Sequence, residues 1–394
     1  MKKITFILAS CALCAVSCSQ NESVDFAVPT TDNVIGFMSN TSRATTLTLD
    51  ALEDDTNGFV VYGINALTNG AWYQYIDGTN NYAFANNNWG WANADKKPVW
   101  PTAGTDGEYP VNFYAYYTQA DAADYSVDNS SESKLAITYT APSALQHDLL
   151  TAKASTKARP AGDKLPLTFK HILSKVKFQI TVGDQFTVHT QSIGFNDVCN
   201  SRGYLLATEA WGDQAASSDS YPYLLTKEPA IVSPATIEGD NGDLMLLPQT
   251  TRSWDPTSGV VSDSRIELIY RAVDGTTDVV GYTLAESHPK YDPTNADHTK
   301  YKGQPLFVKV GYPVGDSDNN LVLASGMSYN YNIKMGMDGA TNGYVASEYL
   351  YDQDGNETTL EVDSKDVGDP ITDGYINFTV DVNEWAPETG SDIM

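Results

Sequence analysis

The side chains most able to do chemistry in this 394-residue sequence are five histidines, 50 acidic residues and a cluster of tryptophans. His147, His171, His189, His288 and His298 form no HExxH or HxH arrangement, so they predict neither a zinc site nor an activated nucleophile. GxSxG, GxxxxGKS/T and a GxGxxG opening a helix are all missing. With 50 carboxylates, a chance pair at glycosidase separation is expected and says nothing about function. Asp352-Gln353-Asp354-Gly355-Asn356 begins like a calcium loop, but its glycine falls at position four rather than six, so it reads as a hairpin turn. The chain is therefore read as a non-enzyme with no catalytic residue, metal or cofactor. Trp72, Trp89, Trp91 and Trp100 could form a platform that buries the C–H faces of a glycan; the alternative is core packing at one end of a sandwich.

Two further residues invite chemistry performed on the chain. Residues 1–17 place two lysines before a short apolar run ending in small residues, the layout of a secretory signal and too short to span a bilayer. Ala15-Val16-Ser17-Cys18 then resembles a lipobox, with Cys18 as the lipidated residue; Cys11 is the alternative. Residues 19–33 read as a tether, followed by a short strand at Val34-Ile35-Gly36-Phe37-Met38 and a second over 45–52. The linker between them carries Arg43-Ala44, an accessible site for proteolysis. Removing 1–17 leaves Cys18 and Cys199, so no disulfide is expected if Cys18 is acylated.

These residues must be held by β-structure. Asn, Thr, Ser, Gly and Asp dominate the polar content, 41% of residues are apolar and only 19% are charged, which suits strands and turns and disfavours disorder. The net charge of −26 excludes nucleic acid and opposes anionic membrane surfaces, so contact with a membrane is expected only through a lipid. Leu165, Leu167 and Phe169 alternate with polar neighbours, then Val176, Phe178, Ile180 and Val182 do so in a shifted register. The break at His171-Ile172-Leu173 reads as a bulge or a strand changing sheets. Further strands are expected over 58–64, 111–117, 135–139, 266–272, 279–284, 306–312, 329–335 and 375–385. The polar run 153–164, KASTKARPAGDK, is taken as the domain boundary.

Several segments together resemble the fimbrillin family of type V pilus subunits. They are Pro98-Val99-Trp100-Pro101, 111–117, Asp148-Leu149-Leu150-Thr151-Ala152, the stretch Phe169-Lys170-His171-Ile172-Leu173-Ser174-Lys175-Val176-Lys177-Phe178, 329–335, and the terminal Val380-Asp381-Val382-Asn383-Glu384-Trp385. The resemblance implies an all-β fold of two tandem transthyretin-like Greek-key β-sandwich domains behind a lipoprotein signal peptide. The expected divisions are a signal at 1–17, a lipidated tether and removable strand at 18–43, and sandwiches at 44–158 and 159–394. It further implies delivery to the outer membrane and cell surface, cleavage after Arg43 by an Arg-specific protease, and polymerisation with other fimbrial subunits. The empty groove would take a donor strand over 371–387 carrying Ile376, Phe378, Val380, Val382 and Trp385. Anchor members keep the lipid uncut, tip members lack the extended tail, and a host glycan or protein receptor is a further expected partner. Burying four or five donor side chains contributes about 1.5–3 kcal/mol each. Ordering ten residues costs about 1–2 kcal/mol apiece, so the main-chain ladder must decide the balance.

Overall fold

Alternating apolar residues in short runs, separated by Gly, Asn, Asp and Pro, give strands throughout. The computed structural model describes residues 34–41 and, apart from loop segments of which 101–110 is the longest, residues 58–385. The α-helix among the described residues is the single short piece Ala296–Lys300. Cys18, Arg43, Ala44 and the strand expected over 45–52 lie outside the described residues.

The first sheet runs in the order Gly36–Thr41, Lys164–His171, Leu149–Thr156, Val111–Thr118, Val60–Ala66 and Trp72–Asp77. One face carries Val61, Phe113, Ala115, Tyr117, Leu167 and Phe169 into a core shared with Ile35, Phe37 and Phe59. The other face carries Tyr62, Ile64, Tyr114 and Tyr116 into a second, larger core. With both faces covered, Val111–Thr118 is almost continuously buried. That is why it reads as a mixed apolar run rather than a clean alternation.

The register break at His171 is a change of sheet. Lys164–His171 ends in the first sheet, while Ser174–Val182 pairs in parallel with Met327–Met335 in a second sheet. Ile172 and Leu173, both buried, make the crossing. Leu149–Thr156 and Lys164–His171, on either side of the boundary expected between 158 and 159, are antiparallel neighbours in the first sheet. Ala136–Thr140 also pairs with Ser201–Leu205 across the expected boundary, and Val34–Met394 forms one compact unit.

The second sheet is completed by Ile376–Glu384, an outer strand paired with Met327–Met335. A third runs Ser218–Leu224, Phe186–Cys199, Arg265–Asp274, Val308–Pro313 and Tyr344–Val345. Its inward residues, including Ile193, Phe195, Ile266, Leu268 and Val310, oppose Val176, Phe178 and Ile180 in the larger core, giving an all-β sandwich. Asp352 serves the expected hairpin turn: its Oδ1 accepts the N–H groups of Asp354 at 3.0 Å and Asn356 at 2.9 Å. Cys199 is a buried thiol.

Tyrosine supplies much of the core volume, with consequences for pH. Burial, aided by the nearby charges of Asp77 and Tyr125, pushes the Tyr62 phenol from 10.0 up to about 12. Burial also raises Tyr116, Tyr139, Tyr221 and Tyr270. Because the folded state favours the neutral phenol, this contribution is intact below the unfolded value and is lost as pH rises through the folded one. The urea midpoint should therefore fall progressively from pH 10.0 towards and beyond about 12; a midpoint constant across that window would contradict the buried, neutral state.

Candidate functional site

The expected removable strand lies at the edge of the first sheet. Gly36–Thr41 runs parallel to Lys164–His171, with Phe37 opposite Leu165 and Thr41 opposite Phe169. Phe37 is 1% exposed, and its ring meets those of Tyr82, Phe113, Trp91 and Phe59 edge-on at 5.2, 5.4, 5.9 and 6.4 Å. Such contacts contribute about 0.5–1.5 kcal/mol each beyond area burial. Ile35, fully buried beside it, has its N–H on the Pro98 carbonyl at 2.9 Å. Its own carbonyl accepts from Trp91 Nε1 at 2.7 Å. The Pro98-Val99-Trp100 segment thus closes over the strand's entry, with Val34 bridging Val99. The strand's last residue, Thr41, stands two positions before Arg43.

These contacts account for the tryptophans. Trp91 and Trp100, expected as glycan contacts, are 7% and 5% exposed and make T-shaped contacts with Phe37 and Phe113 respectively. Trp89 is half-buried and stacks on Tyr82 at 6.0 Å. Trp72 begins the strand Trp72–Asp77; its side chain lies outside the described residues.

The expected donor strand is also in place. Ile376, Phe378, Val380 and Val382 stand opposite Met335, Ile333, Tyr331 and Tyr329. Val382 is 46% exposed although Tyr329 is buried, so the end of the outer strand overhangs the core. Trp385 behaves differently from Val382. It is buried, stacks on the His171 imidazole at 4.0 Å, and lies under the Lys175 ammonium at 5.7 Å. Its N–H donates to the carbonyl of Gly326, whose φ of 69° turns the chain into Met327–Met335. His171 Nδ1 contacts Asp148 Oδ2 at 2.5 Å. The sequence places Trp385 in the donor set but gives no sign of this packing. In the fold, the terminal Trp docks where the chain changes sheets, on His171 and Lys175 of the Phe169-to-Phe178 motif.

The site thus combines an edge strand held by buried side chains and a main-chain ladder with an outer strand near the other end of the described residues. The Fimbrillin-like family model matches residues 42–347. The chain belongs to the fimbrillin-like family. No curated protein matches it in sequence. Among solved structures, a candidate cell adhesion protein of Bacteroides uniformis is 12% identical with a TM-score of 0.43, covering 90% of this chain and 99% of its own. One from Parabacteroides distasonis is 8% identical, TM-score 0.42, covering 91% and 98%. The fimbrial anchor protein Mfa2 from Porphyromonas gingivalis is 8% identical, TM-score 0.28, covering 76% and 89%. These structural likenesses are too distant to carry an argument about function.

Trp91→Phe keeps a buried ring but removes the donor to the Ile35 carbonyl. It should cost the intact chain about 1–3 kcal/mol in urea denaturation; an unchanged urea midpoint would contradict the role given to the indole N–H.

Proposed function

We propose that this chain is a structural and adhesive subunit of a cell-surface fimbria, a type V pilus, assembled by donor-strand exchange and performing no catalysis itself. It is exported as a lipoprotein acylated at Cys18 and presented at the outer membrane. An Arg-specific protease cuts it after Arg43, freeing residues 18–43. The body retains two tandem transthyretin-like sandwich lobes, and a donor strand from the 371–387 segment of another subunit refills the vacated edge.

The observation that carries this reading is the seating of Ile35 and Phe37 in a parallel edge strand that ends two residues before Arg43. While the chain is intact, the strand is held at the high effective concentration of a short covalent link. After cleavage the same contacts become intermolecular. Burying Ile35 and Phe37 contributes about 1.5–3 kcal/mol each, against about 1–2 kcal/mol for each residue ordered. The strand is then open to replacement by a longer one bearing more apolar side chains.

A specific observation favours a second reading. Trp385 is buried on His171 and the terminal strand pairs with its own sheet over nine positions, as suits a subunit that keeps its tail. Such a chain would be a lipid-bearing anchor or a free-standing surface lipoprotein.

The intact mass and N-terminus of the protein recovered from its native cell surface separate the two. A start at Ala44 is expected of the polymerising subunit, whereas a uniform lipid-bearing start at Cys18 would overturn it in favour of the second reading. In addition, Phe378→Asp should abolish polymers, lowering their yield at least tenfold, while leaving a folded monomer. Polymers at the normal yield would contradict the donor assignment.

A further inference from the structure

The third sheet turns its second face away from the core, and this face forms a polar cleft of about 400 Å³. The period-2 alternation that sends Ile193, Phe195, Ile266 and Leu268 inward sends Ser192, Asn196, Arg265 and Glu267 outward. Lys309 joins them from the neighbouring strand. The hairpin of Tyr349–Tyr351 and Glu357–Glu361 borders the cleft, contributing Tyr351 and Glu357. Gln191 Nε2 fastens that hairpin by donating to the Asp352 carbonyl at 2.6 Å.

The polar groups are held in fixed positions. Arg265, whose side chain is 7% exposed, donates from Nε to Glu267 Oε1 at 2.8 Å and reaches Asp197 Oδ2 from Nη1 at 3.2 Å. Its guanidinium lies over the Trp254 ring at 5.5 Å. Lys309 Nζ is 3.6 Å from Glu267 Oε2 and 4.7 Å from the Tyr351 ring centroid. Glu357 Oε2 accepts from Tyr351 Oη at 2.8 Å and Ser347 Oγ at 3.0 Å. Burial alone would lower the Lys309 pKa, but Glu267 and Tyr351 outweigh it and raise it, keeping the ammonium charged.

This chemistry selects among ligands. Cations and carboxylates alternate and already neutralise one another, so an anion would have to displace Glu267 from Lys309, and a cation would have to displace Lys309 from Glu267. Each exchange leaves a partly buried charge without its partner. The chain's net charge of −26 adds long-range repulsion against anions. An uncharged ligand bearing many hydroxyls breaks no ion pair. Each hydroxyl can donate to a carboxylate lone pair and accept from an ammonium or amide proton. Glu357 Oε1, which takes no hydrogen bond among the described residues, is one such acceptor. The volume suits a small ligand, at the lower end of the usual ~300–1,000 Å³.

We propose that this cleft binds an uncharged, hydroxyl-rich ligand, the terminal residues of a neutral oligosaccharide. The site forms within one chain, so binding requires neither cleavage nor assembly.

The test uses the full-length chain, saturation-transfer NMR and calorimetry. The probes are a panel of free neutral hexose and N-acetylhexosamine mono- and disaccharides beside their uronic-acid and sialylated counterparts. Saturable binding of at least one neutral sugar is expected. Ser220→Trp places a bulky ring at the exposed rim, where the Ser220 hydroxyl bonds Asn196, and leaves every ion pair intact. It should weaken binding at least tenfold without lowering Tm; Lys309→Met should weaken binding likewise but lower Tm, because Glu267 loses that partner. Binding of acidic sugars alone, binding unchanged by Ser220→Trp, or no binding across the panel would each overturn the proposal. Should Lys309→Met fail to fold, Ser220→Trp still decides.

Discussion

The interaction on which the N-terminal strand's seat depends is the insertion of Phe37 among Tyr82, Phe113, Trp91 and Phe59. Tyr82 and Trp91 face each other in one hairpin, Phe59 and Phe113 come from elsewhere in the chain, and Phe37 touches all four. Withdrawing it leaves a cavity lined by four aromatic faces and uncovers the main-chain edge of Lys164–His171. Neither is stable in water: the cavity loses dispersion contacts and the edge offers unpaired N–H and C=O groups to any extended chain. A strand ending two residues from Arg43 thus completes the core it enters.

The other terminus shows the opposing tendency. Trp385 is packed on His171, beside the buried Asp148 and Lys175, where the chain passes from the first sheet to the second. A strand donated in trans must leave this seat or use only the residues before it, so the strength of the Trp385 stack bears directly on whether the tail is kept or given away. The same junction joins two segments some two hundred positions apart. One supplies the imidazole and ammonium, the other the indole.

Much of this was readable from residue pattern. Alternation gave the strands around Val176, Ile266 and Tyr329, and the shift of register at His171 marked the change of sheet. The tryptophans could not be sorted, since an indole serves equally well in a core or under a sugar. What sends Trp91 and Trp100 inward is the distant Phe37, and a local pattern cannot express that contact. The grouping of Arg265, Glu267 and Lys309 was not legible either, because it depends on the pairing of Arg265–Asp274 with Val308–Pro313.

The most direct test of strand replacement uses the purified chain cut after Arg43 and a labelled peptide of residues 371–387. Fluorescence anisotropy would follow its uptake, alongside loss of the 18–43 fragment by mass spectrometry. The account predicts stable uptake by the cut chain, release of the fragment, and negligible uptake by the uncut chain. Equal uptake by both forms, or none by the cut chain with its fragment gone, would contradict it.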